Sequence, residues 1–276
     1  MARPLFRVLD SVDAWLREVA LGVQGYFALG QRAGRFIFVP PYYWRDTLDQ
    51  MDRIGVGSVP IIMLTGLFTG MVLALQSSIE LSAFGATMYI GNLVGASMVR
   101  ELGPVLTGLM VSGRIGSAIA AELGSMRVTE QIDALESMGT DPIKKLVTPR
   151  LVAAMLTLPA LTVLADLVGI VGGLIVAFSH LEIPPDVYMR GVWDTLATNG
   201  LILQFFPRDF VGGLGKPIAF GAIVALTGSH YGLNTSGGTE GVGRATTSAV
   251  VTASIWILAV DYILTQLLLV LLGPPG

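Results

Sequence analysis

Seven charged residues stand in or beside long apolar runs: Arg100, Glu101, Arg114, Glu122, Asp166, Lys216 and Asp261. An unpaired charge at the centre of a bilayer costs at least ~2.5 to 3.5 kcal/mol, so a charge in such a run normally faces a partner or a cavity. Arg114 and Glu122 fall close to one helical face, and Asp166, Lys216 and Asp261 are candidate partners on neighbouring helices. The chemistry open to this set is ion pairing, recognition of a charged group or a proton relay. Arg100-Glu101 precedes Gly103-Pro104, where it either contacts a polar headgroup or marks a helix end.

Bond-breaking chemistry finds no comparable set. Gly212-Gly213-Leu214-Gly215-Lys216-Pro217 imitates the end of a phosphate-binding loop, but Phe210 stands where its first glycine belongs and Pro217 replaces the hydroxyl that would hold magnesium. The stretch Gly237 to Gly243 follows no strand and reads as a loop, not a dinucleotide fingerprint. His180 and His230 are the two histidines, without carboxylates at ligand spacing, and cysteine is absent. No catalytic residue, metal site or cofactor is therefore expected on this chain.

The elements that would position the charges are membrane spans. Of 276 residues, 53% are apolar and 13% charged, which does not describe a soluble surface. The net charge of −3 offers no basic stripe to a nucleic acid. About 20 apolar residues cross ~30 Å of hydrocarbon. Four runs qualify: Ile54 to Ile79, Leu151 to Phe178, Val211 to Ser229 and Ala245 to Leu272. The region Leu81 to Ala121 would be ~60 Å long as one helix, and holds either two spans or one span plus a partly inserted segment.

Positive residues are retained in cytoplasmic loops, and their count favours five spans, near 54–79, 100–122, 151–178, 211–230 and 247–272. The amino terminus, with seven arginines up to Arg53, is then inside, as is segment 124–150 with Arg127, Lys144, Lys145 and Arg150. The acidic segment 179–210 and the carboxyl terminus fall outside, and residues 80–99 dip into or lie on the outer leaflet.

Two further elements frame the spans. Residues 1–50 form a separate segment, in which Leu5, Val8, Leu9, Val12, Trp15, Leu16 and Val19 recur at helical spacing opposite Arg7, Asp10, Asp13 and Arg17, describing a helix in the membrane interface. Pro40, Pro41 and Tyr42-Tyr43-Trp44 suit the headgroup level. Between Ser125 and Pro142, Val128, Ile132, Leu135 and Met138 make one stripe and Glu130, Asp133 and Glu136 another, with Gly139 and Pro142 as stop signals. This short cytoplasmic helix suits a groove on a partner protein better than an anionic membrane surface.

The run Arg100-Glu101-Leu102-Gly103-Pro104, the block Ser112-Gly113-Arg114-Ile115-Gly116 through Glu122-Leu123-Gly124, the block Met126-Arg127-Val128-Thr129-Glu130-Gln131-Ile132-Asp133 and the pair Asp141-Pro142 closely resemble the MlaE/YrbE permease family. Gly243-Arg244-Ala245-Thr246-Thr247 and Val260-Asp261-Tyr262 resemble its last loop and span, so that the likeness covers roughly residues 50 to 270 and places a permease domain over 51–276. The resemblance implies the permease subunit of an ATP-driven transporter for phospholipid or a related hydrophobic lipid in the bacterial inner membrane, maintaining outer-membrane lipid asymmetry. It implies a homodimer, with ATP and Mg on a cytoplasmic ABC ATPase, an MCE-domain substrate-binding protein, and room for a small cytoplasmic accessory protein. By the same likeness Leu73, Gln76, Leu81, Phe84, Arg100 and Glu101 border the lipid pocket, and Arg127, Glu130, Ile132, Asp133, Leu135 and Met138 belong to the coupling helix.

The expected architecture is thus an all-α integral membrane protein with an interfacial helix, five spans and a coupling helix. A rival of another class is an ion-coupled secondary transporter using Asp166, Lys216 and Asp261 as a relay, for which inverted repeats and paired broken helices would speak. A non-transporting scaffold would need no buried charges.

Overall fold

The computed structural model describes residues 22–198, 201–202 and 206–272. The amphipathic pattern from Leu5 to Val19 lies outside the described residues. Helix α1 covers 22–36, α2 Trp44–Ser82, α3 Ile90–Ser97, α4 Gly103–Val111, α5 Ser117–Val128 and α6 Gln131–Ser137. Then follow α7 Thr148–Leu181, α8 Pro185–Thr198, a two-residue antiparallel pairing of β1 Leu201–Ile202 with β2 Phe206–Pro207, α9 Arg208–Leu233 and α10 Gly238–Leu272.

Among the described residues four helical columns are long and apolar enough to cross a membrane: Trp44–Ser82, Thr87–Val128, Ile143–Leu181 and Gly238–Leu271. At 26 residues, about 39 Å, α9 has the length as well, with Lys216 and Pro217 in its first half. It runs inside the bundle. A Cβ on Gly213 would lie 2.6 Å from the Val99 carbonyl near one end, and a Cβ on Gly228 would lie 2.8 Å from that of Gly116 toward the other.

The long region after residue 80 resolves into one column with two breaks. Wider π turns at Met98–Leu102 and Ser112–Gly116 join α3, α4 and α5 within the 42 residues Thr87–Val128. Each such turn resets which side chains face inward. Within residues 80–99, Ile90, Val94 and Met98 are fully buried in the protein. They pack with Ile170 and Val176 of α7 and Tyr188 and Val192 of α8. Asn92 Nδ2 donates to Thr195 Oγ1 at 2.9 Å, and the Tyr188 hydroxyl donates to the Ile170 carbonyl at 3.1 Å, so α8 straps α3 onto α7.

Close approach of backbones holds α2 on α7. A Cβ on Gly66 would sit 2.7 Å from the Ala165 carbonyl oxygen, and one on Gly70 only 1.8 Å from that of Gly169. The Gly66-xxx-Gly70 pattern therefore serves packing within one chain. A second core joins Ile54 and Ile62 of α2 to Val111, Ile119 and Leu123 of the column, Leu158 of α7, Phe220 and Val224 of α9 and Ile257 of α10. Helix α1 docks on this core through the buried Leu29 and Ala33, and its Tyr26 ring stacks on Trp256 of α10 at a centroid distance of 6.4 Å.

The helical stripe expected over residues 125–142 is two helices, not one. Helix α5 carries on to Val128, Glu130 adopts a left-handed backbone with φ 61°, and α6 starts at Gln131. Val128 is thereby separated from the stripe of Ile132, Leu135 and Met138. Gly139, at φ 76°, ends the unit, as its lack of a Cβ allows.

Candidate functional site

Pro104 has no backbone N–H, so the carbonyl of Arg100, four residues earlier, loses its helical donor. Lys216 supplies one. Its Nζ donates to the Arg100 carbonyl at 3.0 Å and to Glu101 Oε2 at 2.8 Å, and stands 3.1 Å from Asp261 Oδ1. The Thr265 hydroxyl, one turn beyond Asp261, lies 3.1 Å from Glu101 Oε1. Only 3% of the Lys216 side chain is exposed. The close passage of Gly213 across Val99 brings the lysine there, one turn further along α9. The stretch that imitates a phosphate loop is helical throughout, and within it Gly213 serves packing.

This cluster ties together the π turn before α4, α9 and α10 around two carboxylates and one cation. Asp166 takes part in neither of Lys216's ion pairs. It is 8% exposed on α7 and its Oδ1 has no hydrogen-bond partner among the described residues. A Cβ on Gly103 would collide with that oxygen at 1.7 Å, so the glycine admits the carboxylate. The three-residue relay is thus divided between one ion-paired cluster, in which Asp261 Oδ1 has the Lys216 charge beside it but accepts no hydrogen bond from the described residues, and one separate aspartate.

Arg114 and Glu122 also part company. Arg114 Nη1 donates to Ser58 Oγ of α2 at 2.9 Å, with its guanidinium over Gly57. Glu122 pairs with Arg150 of α7 at 2.9 Å and with Arg53 of α2 at 3.8 Å. Sequence reasoning counted Arg53 and Arg150 only as loop cations, and Ser58 and Thr265 escaped it. The one available signal was that Thr265 follows Asp261 by a single turn.

The residues expected at a lipid pocket divide between two settings. Leu73 and Leu81 of α2 pack at the edge of the α3–α7–α8 core, and Arg100 and Glu101 occupy the π turn. Gln76 faces outward, and Phe84, in the turn after α2, is 82% exposed. Glu101 itself is engaged by Lys216 and Thr265.

At the opposite end, α6 stands clear of the bundle. Ile132 turns inward and is 3% exposed, so it docks α6 onto its own chain, whereas Met138 is 70% exposed and Leu135 half-buried. Arg127 bonds Asp133 across the Glu130 bend, which fixes α6 against α5. Glu130, Asp133 and Glu136 are exposed.

Fold and site together define an all-α integral membrane protein in which charges join helices. The family described as Permease MlaE matches residues 47–267. A probable ABC transporter permease protein of Rickettsia conorii is 41% identical over 263 residues, covering 95% of this chain and 98% of that one. The intermembrane phospholipid transport system permease protein MlaE of Haemophilus influenzae is 36% identical over 251 residues, 90% of this chain and 92% of its own. A probable ABC transporter permease protein of Synechocystis is 42% identical over 230 residues, 81% and 82%. The chain belongs to the MlaE permease family, and its Rickettsia and Synechocystis relatives are named as probable ABC transporter permeases.

Proposed function

We propose that this chain is the permease subunit of an ATP-driven phospholipid transporter in a bacterial inner membrane, where it helps maintain outer-membrane lipid asymmetry. It works as a homodimer with a cytoplasmic ABC ATPase that carries ATP and Mg, an MCE-domain substrate-binding protein and a small accessory protein. Five spans, α9 included, leave the amino terminus cytoplasmic and the carboxyl terminus periplasmic. The lipid occupies the end of the molecule bearing Leu73, Gln76, Leu81, Phe84, Arg100 and Glu101, where apolar walls meet a few polar groups.

The observation that carries this reading is α6, a short helix anchored by Ile132 and presenting Leu135 and Met138 outward beside exposed carboxylates. That is the shape of an element received by a groove on another protein. The phospholipid named for the Haemophilus relative supports the substrate class. The relay reading loses its continuity, since Lys216 and Asp261 are already paired and Asp166 stands apart.

The coupling role is tested with Leu135→Asp combined with Met138→Asp, a change that leaves the Ile132 anchor in place. The expected outcome is a permease that inserts and dimerises normally but no longer retains the ATPase in a pull-down, because two carboxylates would enter an apolar groove without partners. Retention equal to that of the unmodified chain would overturn it.

A further inference from the structure

The segment between α1 and α2 folds against the start of α7 and frames an open cavity of about 60 Å³ that neither the charge cluster nor the coupling helix uses. Phe36, Tyr42, Trp44 and Val152 give it apolar walls, and Lys144 lines it too. Lys144 Nζ donates to the Pro40 carbonyl at 2.6 Å and lies 5.7 Å from the centre of the Phe36 ring. Neither partner carries a charge, and an ammonium has three hydrogens to give. Both carboxylates nearby are taken, Asp46 by Lys145 and Asp141 by Arg32. Among the described residues Lys144 has no carboxylate partner.

Phe38, Tyr42 and Trp44 expose their rings beside this cavity. Exposed aromatic rings next to lysines mark the headgroup level of a bilayer. An uncompensated ammonium at the rim of an apolar cavity there suits an anion whose remaining atoms are apolar. A free phosphate would satisfy the ammonium and leave the aromatic walls empty; a phospholipid satisfies both.

We infer that the cavity between the α1–α2 segment and the start of α7 binds an anionic phospholipid as a resident of its own leaflet, apart from any lipid being transported. Lys144 takes the headgroup phosphate, and the rings of Phe36, Tyr42 and Trp44 cover the glycerol and first methylenes. The leaflet is the cytoplasmic one in the orientation proposed above. Retention can be measured without ATPase or transport, so failure of either reading leaves the other standing.

The full-length chain, placed in nanodiscs of phosphatidylcholine doped with phosphatidylglycerol, is released in the mass spectrometer and its retained lipids are counted. The unmodified chain is expected to retain phosphatidylglycerol over phosphatidylcholine, and millimolar inorganic phosphate should not displace it. Lys144→Gln should lower retention about fivefold, the effect of one basic residue at an anionic surface, while Lys144→Arg preserves it. Val152→Trp, which fills the apolar wall and keeps the lysine, should lower it too. Equal retention of the two lipids by the unmodified chain, displacement by inorganic phosphate, or full retention by Lys144→Gln would overturn the inference. Should Lys144→Gln fail to fold, full retention by Val152→Trp would overturn it.

Discussion

Lys216 draws three oxygens from two other segments onto one nitrogen, and two of those oxygens belong to carboxylates. Removing the lysine leaves Glu101 and Asp261 facing each other without a cation. Breaking a buried pair by deleting one partner typically costs ~3 to 5 kcal/mol; the partial exposure of Glu101 lowers that toward ~2 to 3 kcal/mol here. Lys216→Ala should therefore lower the thermal unfolding midpoint of the detergent-solubilised chain. Adding Glu101→Gln and Asp261→Asn should recover part of the loss, as coupled residues do. If the triple variant proves less stable than Lys216→Ala alone, the cluster is not an electrostatic unit. That these residues mattered was legible in the sequence, because a charge in an apolar run stands out. Which partner each takes was not legible, since Lys216 and Glu101 are separated by 115 positions and meet only because α9 crosses the π turn at Gly213.

Helices α2 and α7 meet with almost no side chain between them. Gly70→Ala would place a methyl group 1.8 Å from the Gly169 carbonyl oxygen, and both atoms belong to backbones that cannot swing aside. Overpacking of this kind costs about 1 to 3 kcal/mol. Gly113→Ala, with no neighbour within 4 Å of the new Cβ, should instead be neutral or slightly stabilising. Thermal unfolding of the two variants side by side checks this, and equal midpoints would contradict the packing account. The small-residue pattern itself was readable in the sequence, but whether it served packing or dimerisation was settled by Ala165 and Gly169 on the facing helix. Element boundaries were harder. Hydrophobic periodicity ran from Val128 to Met138 without interruption, and it took the left-handed backbone at Glu130 to divide it and turn Ile132 inward.

For the molecule as a whole, the long apolar columns follow directly from composition and run length, and the four that meet both criteria include three of the expected spans and the column holding the fourth. The interior course of α9 depends on glycines that lower its apolarity while letting it approach its neighbours, so its role shows only once those neighbours are in place. Two ends result. One holds the Lys216 cluster and the α3–α8 strap, and the other holds α6 with the Arg53–Glu122–Arg150 ties. A transporter driven by ATP from the α6 end would act at the far end through the intervening columns. The most direct test reconstitutes the permease with its ATPase in vesicles and follows lipid transfer while ATP and the proton gradient are removed in turn. The account predicts transfer that stops without ATP and continues when an ionophore collapses the gradient. Transfer that continues without ATP and stops with the ionophore would contradict it.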